Sequence, residues 1–450
     1  MAFASVGSRG TAQVKTAGQT ITISPSSTIA AGRLVAVSVA WDNNNTGTPD
    51  GGPLSEQHSC IDSVGNIYTT VVSGQNRGGS QAAGVHGSIH LCQLTSALTT
   101  TDTITVRLGT SNNLVAKSVS LWEYQLDADM RWAVADRTSL LSTAADPDAI
   151  SLASLPSSTE LLFLHVLAAE GPDTDTYTWD SDYTQITGIG TTGGTDDSNV
   201  HVRGGFRIAT VTSDTVDVGS DTADRDYWQG LVAIYQFPYH PTFPSSELRD
   251  NFNRADEDPL DNGTWVTSSF IFGGTPGLAI STNQCKTGGA AAGWRGQWWG
   301  TDFSVDQEAW VTCATPATGF EDGYGIGTHG VTGDSATGFR ALWQIDVVQS
   351  GLPEDGILFG TGDANEVTAK MIAWSNQSAG DKLGMNKVGS EVSLWLDKGS
   401  GWNWTCAFRD TSASGGKISL ICRDQVVRVD DFGGGPIEIF VPQIYRREQE

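Results

Sequence analysis

Apolar residues fall on alternate positions along most of this 450-residue chain, and the spacing of an amphipathic helix is almost absent. Alternation at period two puts every second side chain on one face of a strand, so the pattern predicts an all-β protein. The 53 glycines agree, because glycine is costly inside helices and cheap in turns; doublets and triplets such as Gly273-Gly274, Gly288-Gly289 and Gly433-Gly434-Gly435 read as turns and bulges. No apolar run is long enough for a membrane-spanning helix.

The first strong strand is Leu34 to Trp41, apolar enough to be buried on both faces. Strand-like runs follow around Ile67, Ile89 and Ile104, and from Ala116 to Tyr124. A weaker copy of the same order comes next, at Leu161 to Leu167, Trp179 to Tyr183, Val202 to Ala209, Asp214 to Val218 and Gln229 to Phe237. Five elements in one order predict two related units, tandem β-sandwiches of jelly-roll type over 1–125 and 126–240, which could also form one domain. Three prolines between Phe237 and Pro244 predict a stiff, extended connector, placed at 241–247. A last domain is assigned to 248–450.

Acidic residues number 51 and basic ones 26, a formal charge of -25. The excess is shared, with 11 basic against 24 acidic residues up to His240 and 15 against 27 after it. Such a surface repels phosphates and anionic lipid heads, so nucleic acid and membrane insertion are excluded as partners unless a local basic patch exists. Six cysteines are spread without a C-x-x-C pair and read as separate buried thiols, with Cys406 and Cys422 on neighbouring runs that could face each other. The first residues lack a charged segment followed by an apolar core, so no secretory signal is expected.

The segment Leu248-Arg249-Asp250-Asn251-Phe252-Asn253-Arg254-Ala255-Asp256, with the later Leu260 and Trp265, carries a recognisable pattern. Phe252, Leu260 and Trp265 would anchor a first strand, and Arg254 could pair with Asp250 or Asp256. The pattern resembles the opening of concanavalin-like jelly-roll domains of the laminin-G type, frequent in bacteriophage tail and capsid-surface proteins. The late runs Val392 to Leu396, Trp402 to Cys406, Lys417 to Cys422 and Val426 to Asp431 are similar to the last strands of that sandwich. The resemblance implies a concanavalin-like sandwich after the tandem units, and a structural virion protein of a tailed bacteriophage: a minor tail, fibre or capsid-surface component. It would be synthesised in the host cytoplasm, with other virion proteins and a cell-surface glycan as partners. That role implies a homo-oligomer, trimeric for a fibre or spike. The alternative is a secreted carbohydrate-binding protein and, behind it, a glycan depolymerase.

Catalytic residues are not predicted. Glycanases need two carboxylates on one face, whereas Glu321-Asp322, Glu354-Asp355 and Asp430-Asp431 are adjacent pairs that point to opposite faces of a strand. His86, His90 and Cys92 share one strand face but are too far apart for one metal ion, and His165 reads as a hydrogen-bonded core residue. Acidic loops raise calcium as the one cofactor to consider, with Asp250, Asp256, Asp258, Asp430 and Asp431 as candidate ligands. The binding signal is tryptophan, whose flat face suits sugar C–H groups. Trp298, Trp299, Trp402 and Trp404 are the glycan-binding candidates, with burial or a subunit contact as the competing fate.

Overall fold

The strand Leu34–Asp42 is buried along nearly its whole length. Its alternate residues enter two different cores. Leu34, Ala36 and Ala40 join the large core of the molecule, while Val35, Val37, Val39 and Trp41 join a smaller one with Ile21, Ile104 and Val106. A strand can be apolar on both faces only if it lies between two other layers, and burying each Val contributes roughly 1.5–3 kcal/mol. The computed structural model describes the chain except for residues 1, 43–57, 77–83, 109–114, 143–145, 196–197, 221–224, 240–242, 261–262, 268–276, 289–293, 319–321, 331–337, 347–353, 363–366, 412–414, 424–425 and 438–450. Part of the connector, Glu321 and the glycines at 273, 274 and 289 therefore lie outside the described residues.

The described residues are all-β. Up to Gln125 the strands are β1 (Ala4–Lys15), β2 (Thr20–Ile23), β3 (Leu34–Asp42), β4 (Cys60–Asp62), β5 (Thr69–Asn76), β6 (Val85–Gln93), β7 (Ile104–Arg107) and β8 (Ala116–Gln125). They form a run ordered β1-β8-β3-β6-β5 and a three-stranded sheet ordered β2-β7-β4. First pairs with last and second with seventh, which is the winding of a jelly roll. The next strands are β9 (Met130–Ser142), β10 (Ile150–Leu152), β11 (Leu161–Glu170), β12 (Tyr177–Trp179), β13 (Thr184–Gly190), β14 (Val200–Ala209), β15 (Asp214–Val216), β16 (Val218–Ser220) and β17 (Tyr227–Pro238). Their main run is β9-β17-β11-β14-β13, the same order element for element, with β10 on β15 and β12 on β16 as two short ribbons.

The two main runs face each other, with β1 over β13, β3 over β14 and β11, and β5 over β17 and β9. Both then continue into the C-terminal half. Val367–Trp374 pairs antiparallel with β5, through Ile372 with Thr70 and Ala373 with Thr69. Trp402–Arg409 meets β9 in parallel, Phe408 opposite Val134. The result is one 12-stranded and one 13-stranded sheet running through both halves of the chain.

The connector is laid onto the C-terminal sandwich. Tyr239 donates its amide to the Asp129 carbonyl at 3.0 Å, and Phe243 stacks on Trp395 with ring centroids 4.9 Å apart. The amides of Ser245 and Ser246 donate to Oε1 of buried Glu308 at 2.6 and 2.5 Å. Burial pushes the Glu308 carboxyl up, and those hydrogen bonds oppose the shift.

Several glycines serve a purpose other than turning the chain. Gly433 lies inside the strand Arg428–Pro436, where a Cβ would fall 2.1 Å from the Trp310 ring. A Cβ on Gly87 in β6 would fall 1.9 Å from the Trp228 ring, and one on Gly330 in Gly323–Gly330 would fall 1.9 Å from the Trp298 ring. These positions are sockets for indole rings, so the reading of Gly433 as a turn residue is corrected.

Candidate functional site

Asp250 organises the opening of the C-terminal half. Its Oδ2 accepts from Trp265 Nε1 at 2.8 Å, and its Oδ1 accepts from the Phe252 amide at 2.8 Å and Arg254 at 2.6 Å. Phe252 stacks on Trp265 at 6.2 Å. Arg254 pairs with Asp250 and Glu257, while Asp256 accepts from the Thr282 amide at 2.8 Å. These residues build the fold.

The same geometry does not suit calcium. Three N–H donors, one on a guanidinium, already occupy the Asp250 carboxylate, whereas calcium takes oxygen ligands with free lone pairs. Asp430 is engaged by the Asp431 amide at 2.9 Å, and burial pushes its carboxyl up. Asp256 and Asp258 are exposed. Among the described residues no group of three His, Cys, Asp or Glu side chains could hold a metal ion.

The four candidate tryptophans have different fates. Trp298 is 1% exposed and packs with Leu342 and Ile421, which corrects its reading as a glycan contact. Trp299 points the opposite way, edge-on to Trp265 at 5.3 Å and beside Phe432, so it belongs to the sandwich interior. Trp402 is half-buried edge-on against Phe243 at 4.8 Å. Trp404 is 7% exposed and belongs to the core, 5.8 Å from Trp132 and 6.2 Å from Phe237, and shows only an edge to an open cleft.

That cleft, about 290 Å³, lies where the two halves meet and is lined by Ala31, Gly32, Gln93, Leu94, Thr95, Arg131, Tyr239, Asn403 and Trp404. Its walls come from the β3 and β6 ends of the first jelly roll, the start of β9, the connector and the start of Trp402–Arg409. Arg131 lies 4.0 Å over the Tyr239 ring and 5.8 Å from that of Trp404. Gln93 Nε2 donates to the Met130 carbonyl at 3.0 Å and fixes the rim. Asn403 is exposed, its Nδ2 donating to the Gly401 carbonyl at 2.9 Å. An aromatic edge beside a guanidinium and planar amides can hold a polyhydroxylated ring by apolar contact and by directed hydrogen bonds. Sequence reasoning found Trp404 but missed Arg131, Gln93 and Tyr239, which lie far apart in the chain; the aromatic residue inside the proline-rich connector was the only local signal.

His90, His165 and Asp355 are buried with hydrogen-bond partners. His165 accepts at Nδ1 from Trp179 Nε1 and faces Gln229 Oε1 with Nε2, both at 3.0 Å, so Nε2 carries the proton. His90 lies 2.9 Å from both Thr70 and Ser88 hydroxyls. Burial lowers the pKa of His90 to about 3 and that of His165 to about 4. Asp355 accepts from the Gln377 amide, and burial raises its pKa to about 6. All six cysteines are buried thiols, and Cys422 neighbours Cys285, not Cys406.

No family model matches the chain, and no curated protein matches it. Solved structures do. The exoplasmic/lumenal domain of VIP36 in its Ca2+/Man-bound form is 9% identical over 40% of this chain and 93% of that one, with a TM-score of 0.28. The legume lectin-like domain from Entamoeba histolytica is 8% identical over 39% and 91%, with a TM-score of 0.30. The metal-free carbohydrate recognition domain of Emp46p is 9% identical over 43% and 97%, with a TM-score of 0.30.

Proposed function

We propose that this chain is a non-enzymatic carbohydrate-binding protein whose ligand seats in the junction cleft. The observation that carries the reading is the convergence of Trp404, Tyr239, Arg131 and Asn403 on one open cavity of about 290 Å³. Its lining holds no Asp or Glu among the described residues, and glycoside hydrolysis needs a flanking pair of carboxylates, which favours binding over cleavage. The virion of a tailed bacteriophage, with cell-surface glycan as the partner and a trimeric state, is the setting implied by the sequence resemblance of 248–450. Mass spectrometry of purified particles tests that setting separately.

The cleft is tested by screening the full chain against immobilised cell-surface polysaccharides and comparing it with Tyr239→Ala and Asn403→Ala. Removing the ring on which Arg131 lies, or the Asn403 amide, should reduce affinity roughly 10-fold. Binding to no saccharide, or binding that neither substitution weakens, overturns the reading. Release of reducing ends from a bound polysaccharide overturns its non-enzymatic part.

A further inference from the structure

The chain carries 51 acidic residues against 26 basic ones, so its average field opposes any anionic ligand. Most described cations are also neutralised locally. Arg9 and Arg33 pair with Glu123, Arg207 with Asp182 and Asp214, Arg225 with Asp175, and Lys398 with Asp381. Arg131 differs. It makes no ion pair with a described residue; its Nη1 donates to its own residue's neighbour, the Met130 carbonyl, at 3.0 Å, and its plane lies on Tyr239. Burial lowers the Arg131 pKa, Tyr239 and then Asp129 oppose that shift, and Asp129 does not line the cleft.

A guanidinium stacked on an aromatic ring is held in orientation with its outer edge open. That edge is a planar fork, which matches the two oxygens of a carboxylate or of a phosphodiester. A neutral sugar would be served equally well by an amide at this position. We infer that the cleft selects a saccharide bearing an anionic substituent, a carboxylate or a phosphate, which Arg131 receives, held in place by the Tyr239 ring beneath it, while the edge of Trp404 and the amides of Gln93 and Asn403 meet the sugar. This rests on the cleft being the carbohydrate site.

The test uses pairs of probes that differ only in charge: oligogalacturonate against its methyl ester, and mannose 6-phosphate against mannose. The full chain is titrated calorimetrically at low and at high salt. The anionic member of at least one pair should bind about 10-fold or more tightly, as expected for a charge-assisted bidentate contact, with the preference shrinking at high salt. Arg131→Gln should abolish the preference, so that both members of a pair bind with similar affinity, and Arg131→Lys should retain part of it. Unchanged thermal unfolding of both variants shows that the fold is intact. Equal affinity for both members of each pair, weakened by Tyr239→Ala, overturns the charge selection and leaves the cleft reading standing. Failure of every probe to bind, or binding indifferent to Tyr239→Ala, overturns both.

Discussion

Trp374 donates its indole N–H to the Thr70 hydroxyl at 2.9 Å, although 304 residues separate them in the chain. The bond crosses the line where β5 meets Val367–Trp374, and the same hydroxyl lies 2.9 Å from His90 Nδ1. Both partners are buried, so neither can turn to water when the other is removed.

Thr70→Val should therefore destabilise the chain by about 1–3 kcal/mol, because it leaves buried polar groups unpaired. Trp374→Phe removes the other end. The double variant should lose less than the sum of the two, which urea unfolding of all four proteins would show. Strict additivity would mean that the bond contributes nothing across the seam.

Asp250→Ala strips three donors of one acceptor and should lower stability by about 2–3 kcal/mol, read as a shift in urea midpoint. The wild-type melting temperature should stay constant when calcium is added or chelated. A rise with calcium would reveal a bound ion, since any ligand of the folded state alone raises stability.

Stability should fall as the solution becomes acidic below about pH 6.5, the ordinary histidine value. Burial depresses His90 and His201 to about 3 and His165 and His329 to about 4. A base held neutral in the fold is protonated first in the unfolded chain, so its contribution is present above pH 6.5 and lost on acidification. Asp355 acts in the opposite sense, because its folded pKa is raised to about 6 and the unfolded chain releases that proton first as pH rises. Burial also lowers His58 and raises Glu308 and Asp430, so five bases stand against three acids and the net slope follows the histidines. Chemical unfolding at pH 7.5, 6 and 4.5 would measure it. His165→Gln should flatten the curve and Asp355→Asn should steepen it.

Gly87→Ala would drive a methyl group into the Trp228 ring, whose nearest carbon lies 1.9 Å from the new Cβ. Overpacking of this kind costs about 1–3 kcal/mol or more. Trp228→Phe should recover part of that loss in the double variant, measured by thermal unfolding.

The strands were legible in the sequence because alternation is a local property. Leu34 to Trp41 announced burial on both faces, and the repeated order of apolar runs corresponds to the repeated order β1-β8-β3-β6-β5 and β9-β17-β11-β14-β13. The role of the glycines was not legible. Gly87 and Trp228 are 141 positions apart, and nothing near either residue tells a socket from a turn. The Asp250, Phe252, Arg254 and Trp265 network was found because it lies within one short stretch. The cleft was mostly missed for the converse reason, since Gln93, Arg131, Tyr239 and Asn403 meet only through the folding of four distant segments.

Two sheets that pass without interruption from one half of the chain to the other also fix how the molecule answers a pull. A pair of domains on a flexible tether would swivel first and bear load afterwards. Here Thr69, Thr70 and Val134 are joined to Ala373, Ile372 and Phe408 across the junction, so the halves cannot swivel without breaking those pairings. The cleft lined by Tyr239, Arg131 and Trp404 lies beside the Val134 and Phe408 junction, so the proposed ligand would rest against a wall shared by both halves.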